Sequence, residues 1–339
     1  MSRSPTGSVV VAYPWHDRED LLDRVRAVLP GVEVRALPYV GKFGQHVRDK
    51  STYDELTDER RAVWARAEVV MALDLPTGID ELAPNLRWVQ AIGAGIEHLD
   101  DRGIGDGVVV TNAVGVAAVP IAEFVIARLL AVWKRFDALD DLQRKHEWRA
   151  TFGRVFDGSV VGLVGLGAIG SAVAVRARAL GAHTVGIRRS YRPGDTSPSC
   201  DELYGTDSFT AVLARCDAVV LSAPATPETE NMFDADAFAA MKPGAVFCNV
   251  ARGSLVDEAA LVDALERGHL GAAVLDVART EPLPPDDPLW DAPNIFISPH
   301  SSASQDRYLE TLFELFVDNL GRYARGESLR NVVDRTAGY

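Results

Sequence analysis

Gly165, Gly167 and Gly170 form a G-x-G-x-x-G pattern with Ala168 and Ile169 inside it. The pattern follows the apolar run Val160–Val164 and opens the amphipathic stretch Ala172–Leu180, the strand–turn–helix context a dinucleotide fingerprint requires. Gly165 permits the tight turn, Gly167 lets the backbone approach a pyrophosphate, and Gly170 lets the new helix pack on the strand. The helix N-terminus then offers N–H groups and a positive dipole end to an anion. A structural glycine turn in some other α/β protein is the alternative.

A second set of residues has acid–base and anion-binding character. Arg252 lies just after the Val-rich stretch Ala245–Val250, at the carboxyl end where ligands bind in open α/β sheets. A guanidinium there clamps a carboxylate and polarises the adjacent carbonyl in a geometry lysine does not reproduce; otherwise it pairs with a surface acid. His300 follows Pro299 at the end of another apolar stretch, and histidine is the residue type that exchanges protons near neutral pH. Taken alone, His300 also reads as a loop histidine. Glu281 stands before Pro282, which holds its backbone extended. Placed against an imidazole, this carboxylate would orient the ring and favour its protonated form; an ordinary acidic loop is the alternative. Asp276 ends an apolar strand, where an ionised side chain needs a partner or an opening to a cleft.

Around these residues, short Val-rich strands alternate with helical segments. Strands are expected at Ser8–Tyr13, Val32–Leu37, Glu68–Leu73, Leu86–Ala91 and Val108–Asn112, with helices at about Arg18–Leu29 and Asp54–Ala67. A long apolar helix begins after Ala117, and Phe136–Trp148 reads as another helix. The alternation then resumes with strands at His183–Arg188, Ala218–Ala223, Ala245–Val250, Ala272–Val277 and Asn294–Ser298. Helices fall near Ser208–Ala214 and at Asp234–Met241 and Glu258–Arg267, and Ala303–Arg325 is helical. Asp234 and Asp257 are good N-cap residues. This order implies parallel sheets with helices on both faces.

Composition bounds the function classes. A formal net charge of −13 argues against a nucleic-acid-binding surface. Cys200, Cys216 and Cys248 form no paired framework and fit a reducing compartment, so a cytoplasmic location is expected. Met1–Gly7 is polar and leads straight into a strand, unlike a signal peptide. The apolar run Ala113–Trp133 is interrupted by Pro120, Glu123 and Arg128, so no membrane association is expected.

Read together, these segments resemble the D-isomer-specific 2-hydroxyacid dehydrogenases from about Leu86 onwards. The resemblance rests on Ala91-Ile92-Gly93-Ala94-Gly95-Ile96, Thr226-Pro227-Glu228-Thr229, Asn249-Val250-Ala251-Arg252-Gly253, Leu275-Asp276-Val277, Glu281-Pro282-Leu283 and Ser298-Pro299-His300, in the family's order. It implies two Rossmann-like doubly wound domains, with a cofactor domain (113–308) inserted into a substrate domain (1–112 and 309–339). It also implies a homodimer and a small 2-oxo or 2-hydroxy acid substrate. By the same resemblance, Arg252 is the substrate clamp, His300 the acid/base and Glu281 its tuner. Ala94 and Gly95 would offer backbone N–H groups to the substrate carboxylate, with domain closure excluding water. Asp276 would contact the nicotinamide carboxamide, and Ala223, Pro224, Val250, Ala251 and Ser302 would line the cofactor. Glu97 and the polar Ser301-Ser302-Ala303 depart from the family pattern. Trp148 reads as a packing residue or as an aromatic reaching a partner subunit, and Trp290 as core. The loop Tyr39–Ser51 is expected to help shape the substrate pocket.

The cofactor follows from Gly186-Ile187-Arg188-Arg189-Ser190. An NAD-preferring fold places Asp or Glu at the end of this strand to accept from the ribose 2′-hydroxyl. Arg188, Arg189 and Ser190 suit a 2′-phosphate instead, so NADP(H) is preferred, with NAD(H) possible if the arginines point into solvent. The expected activity is reduction of a small 2-oxo acid to a D-2-hydroxy acid. The competing readings are phosphoglycerate-type oxidation, disfavoured by the lack of an appended domain after Tyr339, and a nucleotide-sensing corepressor-like protein. Short-chain dehydrogenases fail for want of Tyr-x-x-x-Lys, and no metal ligand cluster stands out.

Overall fold

The computed structural model describes residues 7–13, 18–38, 56–303 and 307–335. The expected loop Tyr39–Ser51 lies outside the described residues. The chain forms two compact units, one from the described residues of 1–116 and 305–339, the other from those of 117–304.

The first unit opens with β1 (Ser8–Tyr13), α1 (Glu19–Val28), β2 (Val34–Pro38) and α2 (Asp58–Trp64). It continues with β3 (Ala67–Ala72), α3 (Ile79–Leu82), β4 (Trp88–Ala91) and β5 (Val109–Thr111). Its sheet is parallel, in the order β2-β1-β3-β4-β5. The central strands are apolar on both faces because helices cover both; Val9, Val10, Val69 and Val70 are fully buried.

The second unit begins with α4 (Ala118–Trp133), α5 (Phe136–Arg144), β6 (Val160–Val164) and α6 (Ala168–Ala179). Then come β7 (His183–Ile187), β8 (Glu202–Tyr204), α7 (Phe209–Leu213), β9 (Ala218–Leu221) and α8 (Ala235–Ala240). β10 (Val246–Asn249), α9 (Glu258–Glu266), β11 (Ala272–Leu275) and β12 (Ile295–Ile297) complete it. The seven-stranded parallel sheet runs β12-β11-β10-β9-β6-β7-β8. Strand order reverses between β6 and β9, and the crevice beyond their carboxyl ends is where such sheets bind ligands. Ile121, Val125, Leu129 and Trp133 form one buried stripe along α4. Asp234 and Asp257 cap α8 and α9, accepting from the backbone N–H of Ala237 and Ala260. Among the described residues no helix is long and apolar enough to cross a membrane.

The chain returns to the first unit with α10 (Tyr308–Arg325), whose Leu312, Phe313, Phe316 and Leu320 pack with Trp88 and Leu21. The sequence reading put the crossings at 112/113 and 308/309. Ala113 and Val116 belong to the first unit's core, and Tyr308 and Leu309 pack against it, which moves both crossings. Three other expectations are corrected. α5 stops at Arg144 rather than Trp148, since His146 adopts a left-handed φ of 56°. Trp148 packs on nothing, at 105% relative exposure, and Trp290 is half-exposed rather than core.

Candidate active site

The glycine turn lies at the reversal of strand order. Gly165 has φ 95°, and a Cβ there would come within 2.6 Å of the Ala223 nitrogen, so only glycine lets β6 turn against the chain leaving β9. A Cβ on Gly170 would lie 2.1 Å from the Gly165 carbonyl oxygen, which fixes how closely α6 packs on the turn. Ser222 Oγ donates to that same carbonyl at 2.7 Å. At Gly167, the N-cap of α6, a Cβ would meet nothing within 4 Å. Open space above Gly167, with the N–H groups of Ala168 and Ile169 opening the helix, fits a dinucleotide pyrophosphate. Ala223 is half-buried and Pro224 exposed beside this turn. Val250 and Ala251 have buried side chains that belong to the core, so what they offer a ligand is backbone.

Arg188 directly follows β7, with Arg189 and Ser190 exposed after it. Its Nη2 donates to Asp195 Oδ2 at 2.7 Å, and Asp195 also accepts from the Arg192 backbone N–H. The Arg188 contact holds the Asp195 carboxyl below the usual carboxylate range. Arg188 is thus neither loose in solvent nor bare: its guanidinium is oriented by a carboxylate the sequence reading did not single out.

Arg252 sits at the carboxyl end of β10 with extended backbone. Asn249 Nδ2 donates to its carbonyl oxygen at 2.9 Å, and Asn249 Oδ1 accepts from the Ala251 N–H at 2.9 Å, so one side chain ties down the turn. Arg252 Nη1 donates to the Ala251 carbonyl oxygen. Glu281 Oε1 accepts from the Ala278 N–H at 3.1 Å, and Glu281 Oε2 meets His300 Nδ1 at 2.9 Å. The Glu281 carboxylate is mostly buried, whereas the His300 side chain is 45% exposed. A carboxylate on Nδ1 leaves Nε2 as the imidazole atom available for proton transfer.

His300 is itself seated by Asp276. Its φ of 51° is left-handed, and its N–H donates to the Asp276 carbonyl oxygen at 2.8 Å. The Asp276 carboxylate, 2% exposed, accepts from Ser298 Oγ at 2.7 Å and from the N–H groups of Ser301 and Ser302 at 2.9 Å each. It also accepts from Ser302 Oγ. Burying a carboxylate is costly unless donors surround it, and the serines on either side of His300 supply them. The Ser302 hydroxyl, expected on the cofactor, is turned onto Asp276.

In the first unit, Ala94 and Gly95 follow β4. Tyr308 Oη donates to the Ile92 carbonyl oxygen (2.6 Å), the Ala113 N–H to that of Gly93 (2.9 Å), and Asn112 Nδ2 to that of Ala94 (2.9 Å). A trans peptide points its N–H opposite to its C=O, so the N–H groups of Ala94 and Gly95 face away from the 112–113 segment. Burial pushes the Tyr308 hydroxyl up to about 12, which keeps it protonated as a donor.

Sequence reasoning missed Asp195, Asn249 and Tyr308 as supports of these groups. Asn249 lay inside a quoted motif; the others act through contacts that no local pattern announces.

Residues 126–302, over half of the chain, match the profile of the D-isomer specific 2-hydroxyacid dehydrogenase NAD binding domain. The chain is 41% identical to the D-3-phosphoglycerate dehydrogenase of Mycobacterium tuberculosis over 66% of its length, a match that spans 43% of that relative. It is 30% identical to the glyoxylate reductase of Korarchaeum cryptofilum, covering 89% of this chain and 94% of that one. The crystal structure of an NADPH-dependent glyoxylate/hydroxypyruvate reductase from Sinorhizobium meliloti, solved with NADP and sulfate, superposes with a TM-score of 0.82 at 29% identity. That superposition covers 98% of this chain and 100% of that one. With the profile match reaching from α4 to Ser302 and the relatives extending over both units, the chain belongs to the D-isomer specific 2-hydroxyacid dehydrogenase family.

Proposed function

We propose that the protein is an NADP(H)-preferring reductase of small 2-oxo acids that yields D-2-hydroxy acids. The observation that carries this reading is the His300 Nδ1–Glu281 Oε2 contact of 2.9 Å, in the same unit as the glycine turn and Arg252. Arg252 clamps the substrate carboxylate and polarises the C2 carbonyl. His300 Nε2 gives its proton to the C2 oxygen, and Glu281 stabilises the imidazolium and fixes the ring's orientation. Gly165, Gly167, Ala168, Ile169 and Gly170 hold the dinucleotide, with Arg188, Arg189 and Ser190 on its 2′-phosphate and backbone of Ala223, Pro224, Val250 and Ala251 beside it. When bound there in reduced form, the nicotinamide would supply the hydride that C2 receives.

The NADP-bound neighbour from S. meliloti and the K. cryptofilum glyoxylate reductase support this choice. The 41% identity to D-3-phosphoglycerate dehydrogenase favours a second reading, oxidation of a phosphorylated 2-hydroxy acid. One assay separates them: turnover of glyoxylate, hydroxypyruvate and 3-phosphoglycerate with each cofactor, in the wild type and in Arg252→Gln and His300→Gln. The primary reading expects 2-oxo acid reduction, lost by roughly 100-fold or more in each variant. Cofactor binding with no turnover of any of these acids would instead indicate a sensor.

Homodimerisation is part of the same proposal, supported by the exposed apolar side chains Phe136, Trp148, Phe152 and Val155 on one segment. Sedimentation velocity measures it. A cytoplasmic location fits the free, buried thiols of Cys200, Cys216 and Cys248.

A further inference from the structure

The turn carrying Arg252 and the loop carrying Glu281 touch backbone to backbone. A Cβ on Gly253 would lie 2.0 Å from the Ala278 carbonyl carbon and 2.2 Å from the Arg279 nitrogen. Arg279 stands at this seam. Its Nη2 donates to the carbonyl oxygens of Ser254 (3.0 Å) and Val256 (2.9 Å) and to Asn231 Oδ1, and its Nη1 to Glu230 Oε1 (2.9 Å). Its backbone N–H donates to Glu258 Oε1 at 2.6 Å, at the first position of α9. One residue back, the Ala278 N–H holds Glu281 Oε1.

These contacts exceed what a surface ion pair needs. Glu230 alone would satisfy the charge, and an exposed pair of that kind contributes little. Arg279 instead spreads its planar fork over two carbonyls of the segment just after Arg252, which a lysine ammonium does not match. The chain of contacts runs from the Arg252 turn, through Arg279 and Ala278, to Glu281 and on to His300 Nδ1.

We propose that Arg279 is a positioning residue that fixes the spacing between the Arg252 guanidinium and the Glu281–His300 pair. The proposal rests on the roles given above to Arg252, Glu281 and His300. Its charged surroundings are Glu230 and Glu258, with Asp287 acting on Glu258. Misplacing a catalytic group by about 1 Å costs up to roughly 100-fold in rate, so a loosened seam is read out in kcat.

The test measures kcat, KM and thermal unfolding for Arg279→Gln and Arg279→Lys, alone and in a Glu281→Gln background. Arg279→Gln is expected to lower kcat roughly 10- to 100-fold with little change in cofactor KM, and Arg279→Lys, despite its charge, does not restore it. In the Glu281→Gln background the same substitution lowers kcat by less than about threefold, since the two act through one contact. Should Arg279→Gln not fold, Arg279→Lys, which keeps stem and charge, carries the same comparison. A kcat within about twofold of wild type, or equal losses in both backgrounds, would overturn the proposal. If Arg252→Gln and His300→Gln keep full activity, the underlying assignment fails as well, and that result is distinguishable from the first.

Discussion

Asp276 shows how a single residue is used against the grain of its chemistry. Its buried carboxylate is surrounded by the hydroxyls and amides of Ser298, Ser301 and Ser302, and the turn they form carries His300. Asp276→Ala strands those donors at roughly 1–3 kcal/mol for each left unsatisfied. A clear fall in melting temperature is therefore expected, while Asp276→Asn, which keeps Oδ1 as acceptor, retains most of the stability. Equal melting temperatures for the two variants would refute this account. At Arg188, Asp195 changes how cofactor choice must be tested. Arg188→Asp alone sets two carboxylates side by side, so it is combined with Asp195→Asn; the pair is expected to shift kcat/KM towards NADH by about tenfold or more. An unchanged NADPH/NADH ratio contradicts the 2′-phosphate role. Arg252, Glu281 and His300 were legible in the sequence because each sits in a short local motif. Asp195 and Arg279 were not, because their partners are chosen by how loops fold back.

At the scale of elements, glycine spacing was the most legible signal, since a missing side chain marks a close approach. Gly170→Ala tests it: the new Cβ meets a backbone oxygen of the Gly165 turn at 2.1 Å, so α6 must shift away. Cofactor affinity is expected to fall roughly tenfold or more, followed by nucleotide fluorescence titration; unchanged affinity would mean that α6 does not hold the pyrophosphate. α4, α8 and α9 were readable from their apolar stripes and Asp caps. β8 was not, because Glu202–Tyr204 is too short to show a period; it pairs with β7 and carries an ionic cluster around Glu202. α5 was read too long, since its apolar side chains end at Leu142 and the left-handed His146 closes the helix.

For the molecule as a whole, that cluster at β8 is one link between stability and acid. Arg215, Tyr204 and His183 together pull the Glu202 carboxyl from 4.5 down to about 2. A depressed carboxylate contributes stability that is complete above its unfolded pKa and is lost as pH falls towards the folded value. Glu202→Gln is therefore expected to lower the melting temperature at neutral pH and to flatten its decline between pH 4.5 and about 2. A variant curve parallel to wild type would show that Glu202 is not the acid-sensitive group. The order in which the two units close has a different consequence, one for synthesis. The second unit is continuous, but the first needs α10, whose Phe316 and Tyr323 lie 5.3 and 5.6 Å from Trp88. At ordinary elongation rates, roughly 10 to 40 s separate Val116 from Tyr308 on the ribosome. For that interval the nascent β1–β5 sheet waits with the Trp88 face bare, while the second unit is being made. The earliest-made half is thus the last to close, and during translation it is the part that a chaperone would hold.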